Sequence, residues 1–139
     1  MDTINCITIA KNDLYTISID KGKNRAYLTL RGKWETFLGL ENYISDIKLA
    51  IKELKSNFTL LVNLTQYSET SSELYSIHID VLKLAVNAGL KRCAEVFGNN
   101  PLIKVFFEYY AKESGAITME FTDMLQAEKW LDLYYEEEQ

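Results

Sequence analysis

The chain has one imidazole, two thiols and a few clustered hydroxyls with which to do chemistry. His78 would act as a general base if a serine or cysteine hydroxyl or thiol lay within about 3 Å. Ser71 and Ser72 precede it by six or seven residues, which on a helix is roughly 9–10 Å along the axis. Ser76 is nearer in sequence but projects about 160° away around the helix. A structural histidine is therefore expected. Cys6 and Cys93 form no C-x-x-C, and with a single histidine they exclude the common zinc-ligand sets. Cys93, inside an apolar run, reads as a small core residue. Glu35 and Glu41 flank a helix start, where carboxylates gain from the helix dipole, and Glu136, Glu137 and Glu138 form a terminal acidic run. No phosphate-binding lysine loop, G-x-G-x-x-G, G-x-S-x-G or H-E-x-x-H occurs. No enzyme, cofactor or metal is expected.

These residues must be positioned by a recognisable order of elements. Residues 14–20 (LYTISID) and 25–30 alternate apolar and polar on either side of Lys21-Gly22-Lys23-Asn24, which predicts a β-hairpin. Ala26, Leu28 and Leu30 would point inward. Residues 4–10 also alternate and form either an extra strand or an arm. Phe37, Leu40, Ile44, Ile47, Ile51 and Leu54 then recur at helical spacing. Residues 58–64 (FTLLVNL) are an apolar run suited to a strand covered on both faces. Residues 65–72 read as a polar loop, with Ser71 or Ser72 as N-cap of a second helix that stops at Gly89. A strand at 93–97 follows. Asn100-Pro101 starts a third helix over 102–113, Gly115 separates it from a strand at 116–121, and Asp123 with Gln126 opens the last helix. The order β-β-α-β-α-β-α-β-α predicts an α/β fold with a mixed, mostly parallel sheet. The expected organisation is an N-terminal strand or arm over 1–13, one domain over 14–135, and a frayed acidic tail over 136–139.

Two helices are apolar over an unusually wide arc. Leu74, Ile77, Val81, Leu84 and Ala88 form one stripe of the second helix, and Tyr75, Ile79, Leu82 and Val86 form another beside it. Together they cover about 220°. In the third helix Leu102, Val105, Phe106 and Tyr109 face one way, and Ile103, Phe107 and Tyr110 extend the arc. The two helices packing side by side would account for this width, as would a partner interface or the wall of an apolar ligand cavity. One expectation is a homodimer through the ridge Tyr75, Ile79, Leu82 and Val86, with Ile103, Phe107 and Tyr110 beside it.

Composition sets the outer bounds. The 139 residues are 47% hydrophobic with a net charge of −5, which suits one globular domain and opposes a nucleic-acid binder. No apolar run reaches the roughly 18–20 residues of a membrane span, so a cytoplasmic protein is expected. Lys21, Lys23, Arg25, Arg31 and Lys33 stand together without an acid among them. They read as a solvated hairpin face, with an anionic ligand or acidic partner as the alternative.

The stretch Phe121-Thr122-Asp123, then Ala127, then Trp130-Leu131 resembles the strand-end, helix-cap and A-x-x-W-L pattern of the SpoIIAA-like family, within the STAS-like fold of anti-sigma-factor antagonists. The resemblance covers roughly residues 14–134 and makes Trp130 and Leu131 core anchors. It implies a non-enzymatic regulatory module acting through protein association. The antagonists carry a strand ending in Asp-Leu-Ser and a loop with Asp-Ser-Ser, whose serine a partner kinase phosphorylates. Here Asn63-Leu64-Thr65 and Thr70-Ser71-Ser72 take those places, with both aspartates replaced. Ser71 and Ser72 are thus phosphorylation candidates by resemblance, and plain N-caps by their residue type. The same resemblance, through lipid-binding CRAL-TRIO domains of similar topology, gives the alternative of a small-molecule or lipid carrier with an apolar pocket between sheet and helices.

Overall fold

A computed structural model of the chain describes residues 5–137, with side chains through Leu133. Its sheet has six strands in chain order: β1 (Cys6–Lys11), β2 (Tyr15–Asp20), β3 (Arg25–Trp34), β4 (Thr59–Thr70), β5 (Arg92–Phe97) and β6 (Thr118–Phe121). The first three pair antiparallel and the last four parallel. The 4–10 alternation is thus strand β1 in the sheet for its described part, and one strand precedes the expected hairpin. In that hairpin Tyr15, Ile17 and Ile19 pair with Leu30, Leu28 and Ala26, and all six are buried. Asp20 accepts the Lys23 amide across the turn.

Four helices follow the strands: α1 (Tyr43–Lys52), α2 (Tyr75–Asn87), α3 (Pro101–Ser114) and α4 (Met124–Glu137). Single right-handed crossovers between neighbouring parallel strands place their helices on one face. On that face Ile17, Leu28, Leu60 and Val62 pack with Ile47 of α1, Ile77 and Val81 of α2, and Phe107 of α3. Helix α4 lies on the other, where Ala127 and Leu131 cover Tyr27, Leu61, Ala94 and Val96. Trp130 is half-buried against Phe121, so Leu131 is the deeper anchor. Glu136 and Glu137 continue α4; Glu138 and Gln139 of the expected tail lie outside the described residues.

The caps of α3 and α4 form as their residue types predict. Asn100 accepts the Leu102 amide ahead of Pro101, and Asp123 accepts from Leu125 and Gln126. Helix α2 ends before Gly89, whose φ of +104° and close approach to Ser56 leave no room for a Cβ.

Three expectations are corrected. Helix α1 starts at Tyr43, not near Phe37, because Gly39 takes a left-handed φ of 85° and breaks the stripe. Phe37 is left exposed while Leu40 tucks into the core. Residues 65–70 are not a loop but the second half of β4. Two bulges against β3 bury Tyr67 and Thr70, every third residue instead of every second, so no strand period shows. The basic run is a solvated face only in part: Lys21 and Lys33 are exposed, but Arg25 is not. Arg25 is fully buried, bonded to Glu128, to Asp132 at 2.8 Å and to Thr59 at 2.8 Å, while the Tyr27 hydroxyl donates to Glu128. Lys23 pairs with Glu128 and Asp132, Lys21 with Glu53, and Lys33 with Glu35 and Glu69. The contacts of Lys23, Arg25 and Tyr27 to Glu128 and Asp132 hold α4 on the sheet, as a buried charge requires a partner.

Candidate functional site

An open feature arises where β4 outruns β5. Strand β5 ends with Phe97 opposite Leu64, while β4 continues along β3 to Thr70. The edge of β4 that β5 covers therefore has no paired strand from Thr65 onward, and the start of α3 stands across from it. Between them lies a cleft of about 320 Å³, lined by Leu64, Thr65, Gln66, Tyr67 and Ser68 on one side and by Gly98, Asn99, Asn100 and Ile103 on the other.

The walls are built to approach closely. A Cβ on Gly98 would sit 3.0 Å from the Thr65 carbonyl oxygen, so the absence of a side chain lets this loop meet β4. Asn100 bridges the gap: its Oδ1 caps α3 and its Nδ2 donates to the Ser68 carbonyl at 2.8 Å. Thr65, Gln66, Ser68 and Asn99 are exposed above a buried floor of Leu64, Tyr67 and Ile103. The carboxyl ends of parallel strands are where open α/β sheets bind their ligands.

Beneath the floor sits the one histidine. The Tyr67 hydroxyl and His78 Nε2 share a hydrogen bond of 2.9 Å. The imidazole is stacked between Trp34 and Tyr110, each ring centre 5.1 Å away, with Phe107 at 5.3 Å. At 3% exposure, burial lowers its pKa to about 3. A base so weak, shut away from solvent, takes no proton near neutral pH. The ring is packed as part of the core.

The other predicted residues are dispersed. Asn63 is half-buried on the α4 face, and its Oδ1 accepts from the Thr65 amide and hydroxyl at 3.0 and 2.7 Å. Thr70 is buried. Asn63 and Thr70 oppose Thr29 and Trp34 on β3, a separation of roughly 16 Å at ~3.3 Å per residue. Neither serine makes the expected N-cap bond. A short 3₁₀ turn, Ser72–Leu74, intervenes before α2. The Ser71 hydroxyl donates instead to the Glu35 carbonyl at 2.8 Å, and Ser72 is exposed.

The apolar ridge is also placed differently. Leu82, Ile103, Phe107 and Tyr110 are buried in the chain's own core, and Tyr75 packs on Phe106 and Tyr110. Ile79 and Val86 are half-buried. Leu82 and its α3 neighbours thus lie within the chain's own core, and Tyr75 in the α2–α3 seam, while Ile79 and Val86 keep part of their surface exposed. On α3 it is Leu102, Val105 and Tyr109 that face outward. Its two apolar arcs carry no polar marker of which is inner, and the aromatic cluster around His78 takes Phe107 and Tyr110. Two cavities of this layer, among the described residues, measure about 20 and 10 Å³, each on the scale of a single water molecule.

Glu95 is a functional-type group that periodicity does not reveal. It lies on β5 beneath the helices at 2% exposure, and its Oε2 has no hydrogen-bond partner. Burial, with Glu120 and Glu108 adding, pushes its carboxyl up to about 8. A lone acid within the apolar strand Cys93-Ala94-Glu95-Val96-Phe97 was the available signal. No group of acids, cysteines and histidine among the described residues could hold a metal ion. No described helix is long and apolar enough to cross a membrane.

No protein-family model matches the chain, and no curated protein does. Solved structures do match in fold. An uncharacterized protein from the DUF3478 family with a SpoIIAA-like fold, from Shewanella loihica PV-4, superposes with a TM-score of 0.59 at 17% identity, covering 88% of this chain and 97% of that one. The Bacillus cell fate determinant SpoIIAA in its phosphorylated form gives 0.54 at 16% identity, covering 84% and 98%. Apo-SiaC from Pseudomonas aeruginosa gives 0.51 at 9% identity, covering 85% and 99%. The six-stranded sheet with its antiparallel N-terminal strands and four helices is a SpoIIAA-like, STAS-like fold.

Proposed function

We propose that this chain is a non-enzymatic binding module that docks a partner protein at the cleft between β4 and the start of α3. The overhang of β4 beyond β5 carries the reading. It leaves a strand edge with exposed side chains and no paired strand, and such edges pair with extended segments of other chains. The neutral, enclosed His78 and the absence of a nucleophile beside it favour binding over catalysis. The SpoIIAA neighbour is a cell fate determinant seen phosphorylated, and a regulatory role is the reading this suggests here. Ser72, exposed at the mouth of α2, would be the hydroxyl of its pair open to a kinase, since Ser71 is engaged with Glu35.

The test is a photo-crosslinking side chain at Asn99, compared with one at the exposed Lys83 on α2. A discrete adduct from Asn99 and none from Lys83 is expected in cells. An adduct of twice the chain mass would identify the partner as a second copy. Equal labelling from both positions, or from neither, would refute the cleft.

A further inference from the structure

Helix α4 leaves part of its own sheet face open, beside the strands that precede it. There a groove of about 210 Å³ runs past Met124, the first residue of α4. Sheet register explains its chemistry. Lys11 pairs with Thr16, Thr16 with Thr29, and Thr29 with Asn63, so these four form one row across β1 to β4. At about 4.8 Å between strands the row spans roughly 14 Å. Arg31, two residues beyond Thr29, lies on the same side of β3, and Ser18 sits two residues beyond Thr16. All six line the groove, over a floor of Tyr27 and Leu61.

The hydrogen bonds within this wall leave donors facing outward. Arg31 donates to the Asn12 carbonyl at 3.1 Å and to the Thr16 hydroxyl oxygen. This fixes the guanidinium and leaves Thr16 its own proton to give. Asn63 uses Oδ1 to accept from Thr65, which leaves its NH₂ as the end available to a ligand. With the Lys11 ammonium and the hydroxyls of Ser18 and Thr29, the groove offers two cations and several neutral donors. No carboxylate is among its described lining residues. The Asp123 carboxylate at the start of α4 is turned onto its own helix, accepting from Leu125 and Gln126.

In a chain of net charge −5, a half-buried wall of donors without an acid is complementary to an oxyanion, and a fixed guanidinium suits the oxygens of phosphate. We propose that this groove is a binding site for a small phosphate ligand, inorganic phosphate or a simple phosphate monoester, held by Arg31, Lys11, Thr16, Thr29 and the Asn63 amide. It lies on the α4 face, apart from the β4–α3 cleft, and stands or falls independently of it.

Inorganic phosphate, titrated at constant ionic strength and followed by backbone amide NMR, tests the site. Saturable shifts confined to residues around Thr16, Thr29, Arg31 and Asn63 are expected. Asn63→Asp keeps the acceptor for Thr65 but places a carboxylate in the groove. It should weaken phosphate binding at least tenfold without moving the thermal midpoint measured in phosphate-free buffer. Lys11→Gln, at an exposed position, should weaken it severalfold. Shifts that grow linearly without saturating, or equal affinity in wild type and both variants, would overturn the proposal.

Discussion

Protonation of His78 should weaken the fold, and the size of the effect follows from its surroundings. In the unfolded chain an imidazole titrates near 6.5; in the folded one burial holds it to about 3. The unfolded state therefore binds the extra proton between these values, and stability rises with pH across that window. The stabilisation is complete above pH 6.5 and is lost as pH falls toward 3. At roughly 1.4 kcal/mol per pH unit, the full loss is about 5 kcal/mol, of which about 2 kcal/mol is gone by pH 5. The control is the double variant His78→Phe with Tyr67→Phe. It keeps a ring between Trp34 and Tyr110 and removes both ends of the 2.9 Å hydrogen bond, so no hydroxyl is stranded. The single change His78→Phe would strand one, at a cost of about 1–3 kcal/mol. Urea unfolding at pH 7 and pH 5, followed by tryptophan fluorescence, gives the comparison. Between the two pH values wild type should lose about 2 kcal/mol more than the double variant. Equal losses within about 0.5 kcal/mol would show that His78 is not buried as a neutral ring.

Glu95 should act in the opposite sense. Its folded value near 8 exceeds the usual 4.5, so stability falls as pH rises between them, and Glu95→Gln should gain up to about 3 kcal/mol at pH 7 in the same urea assay. Arg25→Met should cost about 3–5 kcal/mol by taking from the buried Glu128 carboxylate its buried cation, leaving only Lys23 and the Tyr27 hydroxyl, and adding Glu128→Leu should restore part of it in thermal melts. Ser71→Ala should cost about 1 kcal/mol through the lost bond to Glu35, whereas Ser72→Ala should stay within about 0.5 kcal/mol. Leu82→Glu should unfold the chain, since that position is covered by the chain's own core; a folded Leu82→Glu monomer would return the ridge to the surface.

The parts of the fold legible in the sequence are those set by local chemistry. Asn100-Pro101 and Asp123 cap their helices as their types demand, and the period-2 runs around Gly22 pair as a hairpin. What local pattern could not carry depends on partners distant in sequence. Arg25 reads as one more solvated cation until Glu128, 103 residues later, is laid against it. The bulges that bury Tyr67 and Thr70 exist only in register with β3, so a strand looks like a polar loop. The α3 stripes are equally apolar, and only the cluster around His78 decides which turns inward. The cleft and the groove share this origin. Each is assembled from strand ends or cross-strand rows, and neither leaves a motif in consecutive residues.

Helix α4 being the cover of one sheet face has a consequence for biosynthesis. Each earlier helix emerges from the ribosome between the two strands it bridges, so the α1–α3 side can close unit by unit. The other side waits. Leu61, in the completed β4, and Arg25 before it remain uncovered until Ala127, Glu128, Leu131 and Asp132 are made. At ~5–20 residues per second, the 62 residues from Thr70 to Asp132 take roughly 3–12 s. A nascent chain stalled in that interval presents a strip of bare apolar strand with an unneutralised guanidinium at its end. That is a surface for a holding chaperone to occupy, and one on which two stalled chains would aggregate.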